Sequence, residues 1–390
     1  MNVYLDNAAT TPLDEEVFEA MKPYMLEHFG NPSSIHAHGR QVRSAIERSR
    51  KKVAELLNAS PAEIFFTSGG TEADNTAILC TISEKNIEHV ITSKIEHYAV
   101  LHTVQSIEKR GVKVTYLTLD DKGTIDYAHL EDSLRSNPKS LVTLMHGNNE
   151  IGNLLHIEKI SNLCKEYDAI FHSDTVQTIG HYTHDLEELK LDFAVGSAHK
   201  FHGPKGIGFL YINHKNKIHP FIYGGAQERN MRGGTENVCG IVGLTKALEI
   251  AYAGMEDHKQ HIEGLKIRMI KKLQQKVDGV AFNGVSDQLD KSLYTVLNAC
   301  IPSSEDNEML LFNLDIEGIS VSGGSACSSG SSVGSHVLAE LKRDQSKGAL
   351  RFSFSKKNTF EEVDYTVDRL ASLLQPQIAR DENTWTNSFS

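Results

Sequence analysis

The chain has 390 residues, 39% of them hydrophobic, and this size predicts two or three domains around a large core. Its 40 basic and 51 acidic residues give a net charge of -11 without a long Lys or Arg cluster, which argues against nucleic-acid or acidic-membrane partners. No run of 18 apolar residues occurs, so no membrane segment is expected. Five cysteines without a C-x-x-C pair argue against a disulfide-stapled secreted protein and a structural zinc site, so a cytoplasmic protein is expected.

The first elements along the chain are a helix and a series of strands. Apolar residues recur at helical spacing over residues 40–57, which predicts an amphipathic helix there. Seven short apolar runs follow, most of them separated by helical stretches: EIFFTS, HVITSK, VKVTYLTL, SLVTLMH, AIFHSD, DFAVGSA and GIGFLYI. Alternating strands and helices predict an α/β fold with a mainly parallel sheet covered by helices on both faces.

The length and spacing of the predicted elements change near residue 257. A long charged helix, HKQHIEGLKIRMIKKLQQKV, leads into elements at wider spacing. The strand candidates SLYTVLNAC, GISVSG and GALRFSFS, with the helices EDNEMLLFNL and TFEEVDYTVDRLASLL, are enough for a sheet with helices on one side. We therefore expect a second, smaller α/β domain.

Polar residues follow several of the predicted strands. In open parallel sheets, ligands bind outside the carboxyl ends of the strands, so these positions are candidates for a common site. They are Gly69, Gly70, Thr71, Glu72, His97, Asn148, Asn149, Asp174, His199 and Lys200. The convergence of these residues at strand ends predicts a ligand site.

The stretch SGGTEADN passes from a strand into a helix through Gly69 and Gly70. Such a turn presents backbone N–H groups and a positive helix end, and this arrangement favours a phosphate. An ordinary turn with Thr71 as the cap is the alternative. Neither the dinucleotide fingerprint G-x-G-x-x-G nor a Walker A loop occurs, which argues against NAD and ATP.

Asp174 and Lys200 each end an apolar strand, where a charge needs a partner. They could pair with each other. Alternatively, Asp174 holds a protonated pyridine nitrogen while Lys200 forms a Schiff base with an aldehyde cofactor. A phosphate-binding turn, an aspartate and a lysine at strand ends are together typical of a pyridoxal-phosphate site.

Cys327 lies in the glycine- and serine-rich stretch GISVSGGSACSSGSSVGSHV, which is typical of a loop. A thiol on a loop is either an accessible nucleophile or a linker cysteine without a function. We expect the surrounding residues, about 323–334, to be mobile because a single apolar residue, Val333, follows Cys327 before His336. The other four cysteines adjoin apolar stretches and are expected to be buried structural thiols: Cys80, Cys164, Cys239 and Cys300.

The chain resembles the cysteine desulfurases of the nitrogen-fixation and iron–sulfur-assembly type over nearly its full length. The resemblance lies in YLDNAATTP, GNPSS, EIFFTSGGTEADN, SKIEHYAVL, NNEIG, HSDTVQ, GSAHKFHGPKGIG, ERNMRGGTENV, SGGSACSSGS and LRFSFS. It implies a homodimer of the aspartate-aminotransferase fold, that is, pyridoxal-phosphate fold type I. It also implies an N-terminal segment (1–13) associated with the small domain, a large cofactor-binding domain (14–256) and a small domain (257–390).

The resemblance further implies an activity: conversion of L-cysteine to L-alanine, with the sulfur taken up by Cys327 as a persulfide and passed to an acceptor protein such as an iron–sulfur scaffold. Lys200 would be the Schiff-base lysine, and His97 would stack on the cofactor ring and is one candidate to activate Cys327. The remaining implied ligands are Gly70, Thr71, Ser197 and His199 for the phosphate, Thr235 for the phosphate of the partner subunit, Asp174 for the pyridine nitrogen, Gln177 for the phenolic oxygen, and Asn149 with Arg351 for the substrate carboxylate.

Two classes of alternative stay open at this point. A related pyridoxal-phosphate enzyme could act on selenocysteine or eliminate sulfide without a cysteine nucleophile, and the products of the second reaction would be pyruvate and ammonia rather than alanine. A sulfur carrier or scaffold on a decayed enzyme fold is a further alternative. The joint presence of Lys200, Asp174 and Cys327 argues against that last alternative.

Overall fold

The structure is a computed structural model that describes residues 1–137, 139–302, 307–323, 334–342 and 347–374. The strands are β1 (Val3–Tyr4), β2 (Ile64–Thr67), β3 (His89–Thr92), β4 (Lys113–Tyr116), β5 (Leu141–Thr143), β6 (Ile170–Ser173), β7 (Phe193–Ser197), β8 (Gly208–Ile212), β9 (Ala281–Phe282), β10 (Val296–Ile301), β11 (Ile319–Ser320) and β12 (Gly348–Ser353). The helices are α1 (Glu15–Leu26), α2 (Ala37–Leu56), α3 (Gly70–Asn75), α4 (Thr81–Lys85), α5 (Tyr98–Glu108), α6 (Tyr127–Ser136), α7 (Ile157–Glu166), α8 (Leu186–Leu189), α9 (Val238–Ala253), α10 (Met255–Lys276), α11 (Asn307–Ile316), α12 (His336–Glu340) and α13 (Phe360–Leu374). A π-helical segment, Thr76–Cys80, joins α3 to α4.

The main sheet contains all seven strands predicted from the apolar runs, in the order β2-β8-β7-β6-β5-β3-β4. Strands β7, β6, β5, β3 and β4 are parallel, whereas β8 is antiparallel to both of its neighbours. The prediction of an α/β fold with a mainly parallel sheet is therefore confirmed. Because β8 is antiparallel to both β2 and β7, β2 runs parallel to β7. The carboxyl ends of β2 and of the parallel strands therefore lie at one edge of the sheet.

The predicted amphipathic helix at 40–57 is α2, which begins three residues earlier at Ala37. Its buried positions include Val42, Ile46 and Val53, at spacings that place them on one helical face. The helix packs against α9, whose Leu244 belongs to the main core. Burial of this apolar face, rather than helix propensity alone, holds the helix on the sheet.

A second core lies beyond α9. Helix α10 leaves α9 at a 75° bend after Ala253 and packs against α13. Strands β12, β10 and β9 form an antiparallel sheet, while β1 pairs in parallel with β11. Through this pairing Val3 and Leu5 join the second core. The domain boundaries after residues 13 and 256 stay a prediction.

Within the described ranges, no single helix is long and apolar enough to cross a membrane. Helices α9 and α10 meet that criterion only when they are taken together across their bend. The side chains of Ile241, Leu244 and Leu248 in α9 are fully buried in the protein core.

Candidate active site

Five peptide segments meet at the carboxyl edge of the main sheet. Strand β2 leads to Gly69 and Gly70, β3 to His97, β5 to Asn149, β6 to Asp174 and β7 to Lys200. The strands that carry the last four of these segments are neighbours in the sheet. The fold thus brings together the strand-end residues that the sequence singles out, as the topology of open α/β sheets predicts.

At the glycine turn, a side chain would clash at one position and strain the backbone at the other. A Cβ atom built on Gly70 would lie 2.9 Å from Val176 Cγ2, and Gly69 has φ +155°, a conformation that L side chains rarely adopt. Helix α3 begins at this turn without a side-chain cap, so its first N–H groups point to the site. Ser197 adjoins the turn, since a Cβ on Gly69 would lie 3.9 Å from its Oγ. This donor set fits a phosphate group.

The amine of Lys200 points at a peptide near the N-terminus of the chain. Its Nζ donates hydrogen bonds to the carbonyl oxygens of Ala8 (2.6 Å) and Ala9 (2.9 Å). Gln177 Nε2 donates to the same Ala8 oxygen at 3.0 Å. His199 Nδ1 lies 3.1 Å from Thr10 Oγ1. Residues 8–10 are therefore part of the site, a feature that the strand-end analysis does not predict.

Asp174 and His97 occupy the middle of the sheet edge. The Asp174 carboxylate is buried and accepts a hydrogen bond from the Val176 N–H at 2.9 Å. His97 caps α5 by accepting from the Ala99 N–H at its Nδ1, 3.1 Å away. Burial lowers the pKa of His97, the Asp174 charge opposes that shift, and the Lys200 charge adds to it. The imidazole is thus neutral at physiological pH, with a flat apolar face.

Arg351 reaches the site from β12 and is almost fully buried. Its Nη2 donates to Asp6 Oδ1 (2.7 Å) and its Nη1 donates to the backbone oxygen of Asn149 (2.9 Å). Its Nε is buried without a hydrogen-bond partner among the described residues. The structure therefore joins Arg351 and Asn149, and a guanidinium with a spare donor fits a carboxylate ligand.

Thr235 lies apart from these residues. It is exposed and lines a cleft of about 550 Å³ together with Thr67, Ser68 and Arg232. Arg232 Nε in turn donates to Glu72 at 2.9 Å, which ties this loop to the first turn of α3. The structure thus places Thr235 near the end of β2 of its own chain, in a cleft whose lining does not include Lys200.

Two buried acidic residues near the site are not among the residues predicted from the strand ends. Glu96, directly before His97, accepts from Ser93 Oγ (2.7 Å) and from the Met145 N–H (2.8 Å). Burial raises the pKa of Glu96 to about 8, with a further contribution from the Asp174 charge. Burial also raises the pKa of Asp74 in α3. An acidic residue in a largely apolar helical stretch, ADNTAILC, is the pattern that could have identified Asp74.

Cys327 and residues 324–333 lie outside the described residues, so the predictions for this loop stay predictions. Of the other cysteines, Cys80, Cys164 and Cys300 are buried as expected. Burial raises the pKa of the Cys80 thiol to about 11. The expectation for Cys239 is wrong, because this residue is only partly buried. It lies in the first turn of α9, where its thiol donates to Asn237 Oδ1 at 3.3 Å and its side chain packs only against the margin of the main core.

Comparisons with known proteins find relatives over nearly the whole chain. The family model of aminotransferase class-V matches residues 3–366. The cysteine desulfurase IscS of Dictyoglomus turgidum is 45% identical over 379 residues, which cover 96% of this chain and 94% of that protein. A solved NifS-like protein superposes with a TM-score of 0.88 at 38% identity and covers 96% of this chain and 99% of its own. A structure described as SspA in complex with cysteine gives a TM-score of 0.79 at 33% identity, covering 92% of this chain and 100% of its own.

Proposed function

The chain belongs to the aminotransferase class-V family, among its cysteine desulfurases, and we propose that it converts L-cysteine to L-alanine with transfer of the sulfur to Cys327. The observation that carries the proposal is the meeting of Lys200, Asp174 and the glycine turn at one sheet edge. A reactive amine, a buried carboxylate and a set of N–H donors are the groups that pyridoxal 5'-phosphate requires.

The described residues fit that cofactor. The α3 N-terminus at Gly70 and Thr71 would hold the phosphate together with Ser197 and His199. Asp174 would meet the pyridine nitrogen, the neutral ring of His97 would cover one face, and the Gln177 amide would donate to the phenolic oxygen. When bound, pyridoxal 5'-phosphate supplies an electron sink that stabilises negative charge at the substrate α-carbon.

Lys200 is the residue placed to attach the cofactor and to move protons. Its Nζ lies in a partly buried setting between two backbone carbonyls of the N-terminal peptide. An amine held in this way is oriented by its acceptors and can exchange a proton with the substrate α-carbon once it is released. Arg351 and Asn149 would bind the substrate carboxylate and so fix the α-carbon next to Lys200.

Cys327 would receive the sulfur atom. As a thiolate it would form an S–S bond with the substrate sulfur while the substrate C–S bond breaks. The bonding electrons of the C–S bond stay with the carbon, which takes up a proton to become the methyl group of alanine. The products are then alanine and a Cys327 persulfide, from which an acceptor protein, such as an iron–sulfur scaffold, draws the sulfur.

We further propose a cytoplasmic homodimer. Large apolar side chains are exposed on one protomer, among them Phe29 (76% exposed) and Ile35 (87%), and such exposure is typical of an interface. Cys80, Cys164, Cys239 and Cys300 are free thiols, as is typical of a reducing compartment. In a dimer, Thr235 would serve the phosphate of the other subunit. Sedimentation of a fully active monomer would contradict this part of the proposal.

The test is the identity of the products formed from L-cysteine. Alanine, in amounts equal to the transferred sulfur, is expected from the wild-type protein and from Lys215→Ala, which changes an exposed lysine. Lys200→Ala should yield no alanine. Formation of pyruvate and ammonia instead would assign the chain to a β-elimination, and an undiminished rate in Lys200→Ala would refute the role of the lysine.

A further inference from the structure

A polar pair lies in the same buried region as Asp174. The carbonyl oxygens of His172 and Asp174 both accept hydrogen bonds from the neighbouring strand, from the N–H groups of Leu144 (3.2 Å) and His146 (2.9 Å). The extended pairing of β6 thus continues through Asp174. Because side chains two residues apart in an extended strand share a face, His172 and Asp174 lie on the same side of the sheet.

Asp74 of α3 meets His172 inside the protein. Their side chains are 1% and 0% exposed, and Asp74 Oδ1 lies 3.3 Å from His172 Nε2. Neither of these two atoms has a hydrogen-bond partner among the described residues, so two unpaired polar atoms face each other at this distance. The other ring nitrogen, His172 Nδ1, lies 2.8 Å from Thr143 Oγ1. A single proton between Asp74 and His172 would satisfy both buried atoms.

We infer that Asp74 is a protonated carboxylic acid that donates to His172 Nε2, and that this neutral pair keeps the negative charge of the region on Asp174. The His172 Nδ1–H then donates to Thr143 Oγ1, which fixes the tautomer of the ring. Asp74 and His172 are positioning residues, because they act through Asp174 and not on the reacting atoms.

The electrostatics agree with this assignment of protons. Burial raises the pKa of Asp74 well above its ordinary value, and the charges of Asp174 and Glu96 raise it further. Burial lowers the pKa of His172 to about 3, so the ring stays neutral. A neutral ring carries no positive charge that could pair with an ionised Asp74. Asp174, at the end of β6, and Glu96, just before α5, are the titratable groups that act on Asp74. Two ionised aspartates in one dry region would repel each other.

The consequence rests on the proposed function. If Asp174 binds the pyridine nitrogen of the cofactor, it must be the carboxylate that is ionised. Asp74, rather than Asp174, then carries the proton, and its partner His172 stays neutral. Asp74→Asn mimics the protonated acid, because the amide donates to His172 Nε2 as the acid does.

The direct test is infrared spectroscopy of the purified protein at pH 8 with carboxyl-labelled aspartate, which separates aspartate bands from the band of Glu96. We expect the carbonyl band of a protonated aspartic acid in the wild-type protein. The band should persist in Asp192→Asn, the control for a partly buried aspartate elsewhere, and it should disappear in Asp74→Asn. Absence of the band from the wild-type protein, or its survival in Asp74→Asn, would overturn the inference.

Cofactor affinity provides a second test with the same variant. Asp74→Asn should bind pyridoxal 5'-phosphate with an affinity within about threefold of wild type. If Asp74 were ionised in the wild-type protein, this substitution would remove a negative charge and lower the cofactor affinity by about tenfold or more. A tenfold loss would therefore overturn the inference.

Asp174→Asn separates the two proposals. If it leaves cofactor affinity unchanged while the Asp74 band is present, the protonated pair stands and the role proposed for Asp174 fails. If it weakens cofactor binding while the wild-type protein lacks the band, the pair fails and the role of Asp174 stands.

Discussion

A buried ion pair, Arg50–Glu228, links α2 to the turn that precedes the Thr235 loop. Arg50 Nη1 and Nη2 donate to the two carboxylate oxygens of Glu228 at 2.7 and 2.8 Å, and both side chains are almost fully buried. Glu228 also accepts from the Phe66 N–H at 2.8 Å. Glu228, Arg229 and Asn230 all have positive φ, at 42°, 56° and 66°. The pair therefore holds a strained turn in place.

We expect Arg50→Met to destabilise the protein substantially. Removing one partner of a buried ion pair costs about 3–5 kcal/mol, because the remaining charge is left buried without compensation. A left-handed residue other than glycine stores about 1–3 kcal/mol of backbone strain, and relaxation of this turn returns part of the loss. The expected decrease in the free energy of unfolding is therefore near the lower limit, about 3 kcal/mol.

Urea unfolding followed by circular dichroism measures this loss. Lys52→Met is the control, since it breaks an exposed ion pair with Glu55 (2.8 Å) and should have no measurable effect. The double variant Arg50→Met/Glu228→Gln should lose less than the sum of its two single variants, because each of them already breaks the same pair. Additive losses, or an Arg50→Met protein as stable as the control, would show that the buried pair does not stabilise the fold.

Three further predictions concern buried charges. Burial lowers the pKa of Lys266 from 10.5 to about 7. Between these pH values the unfolded chain binds more protons than the folded protein, so the free energy of unfolding should rise with pH from about 7 to 10.5. Lys266→Met should remove this rise in urea midpoints measured across that range, and the exposed Lys271→Met should keep it. For Glu96 the pH dependence is opposite, because its pKa is raised from 4.5 to about 8 and the free energy of unfolding should fall as pH rises through this range. Glu96→Gln should therefore be more stable than wild type at pH 8.5 but not at pH 5. Arg351→Lys should raise the KM for L-cysteine by about 10–100-fold through loss of charge-assisted hydrogen bonds, and an unchanged KM would exclude Arg351 from substrate binding.

Much of the large domain follows from local sequence patterns. Each of the seven apolar runs forms a strand because short runs of Val, Ile and Phe bury well in a sheet with both faces covered. The polar residues after those runs reach one edge because parallel strands share their direction. The candidate positions Asp174 and Lys200 could therefore be identified without coordinates.

The remaining features depend on contacts between distant parts of the chain. The meeting of Ala8 with Lys200, 192 positions apart, leaves no periodic signal in the sequence. The insertion of β8 between β2 and β7 is likewise a matter of topology, since strand order cannot be read from the order of apolar runs. The Asp74–His172 pair needs a helix and a strand packed face to face. Cys239 illustrates the converse error, because apolar neighbours in sequence do not ensure full burial of a side chain in the first turn of a helix.

The central claim is that Cys327 takes the sulfur from L-cysteine. Mass spectrometry of peptides from the wild-type protein, after incubation with L-cysteine and without reductant, tests it most directly. We expect one additional sulfur atom on the Cys327 peptide, and none in Lys200→Ala. An unmodified Cys327 together with a persulfide on another thiol, such as the partly exposed Cys239, would contradict it.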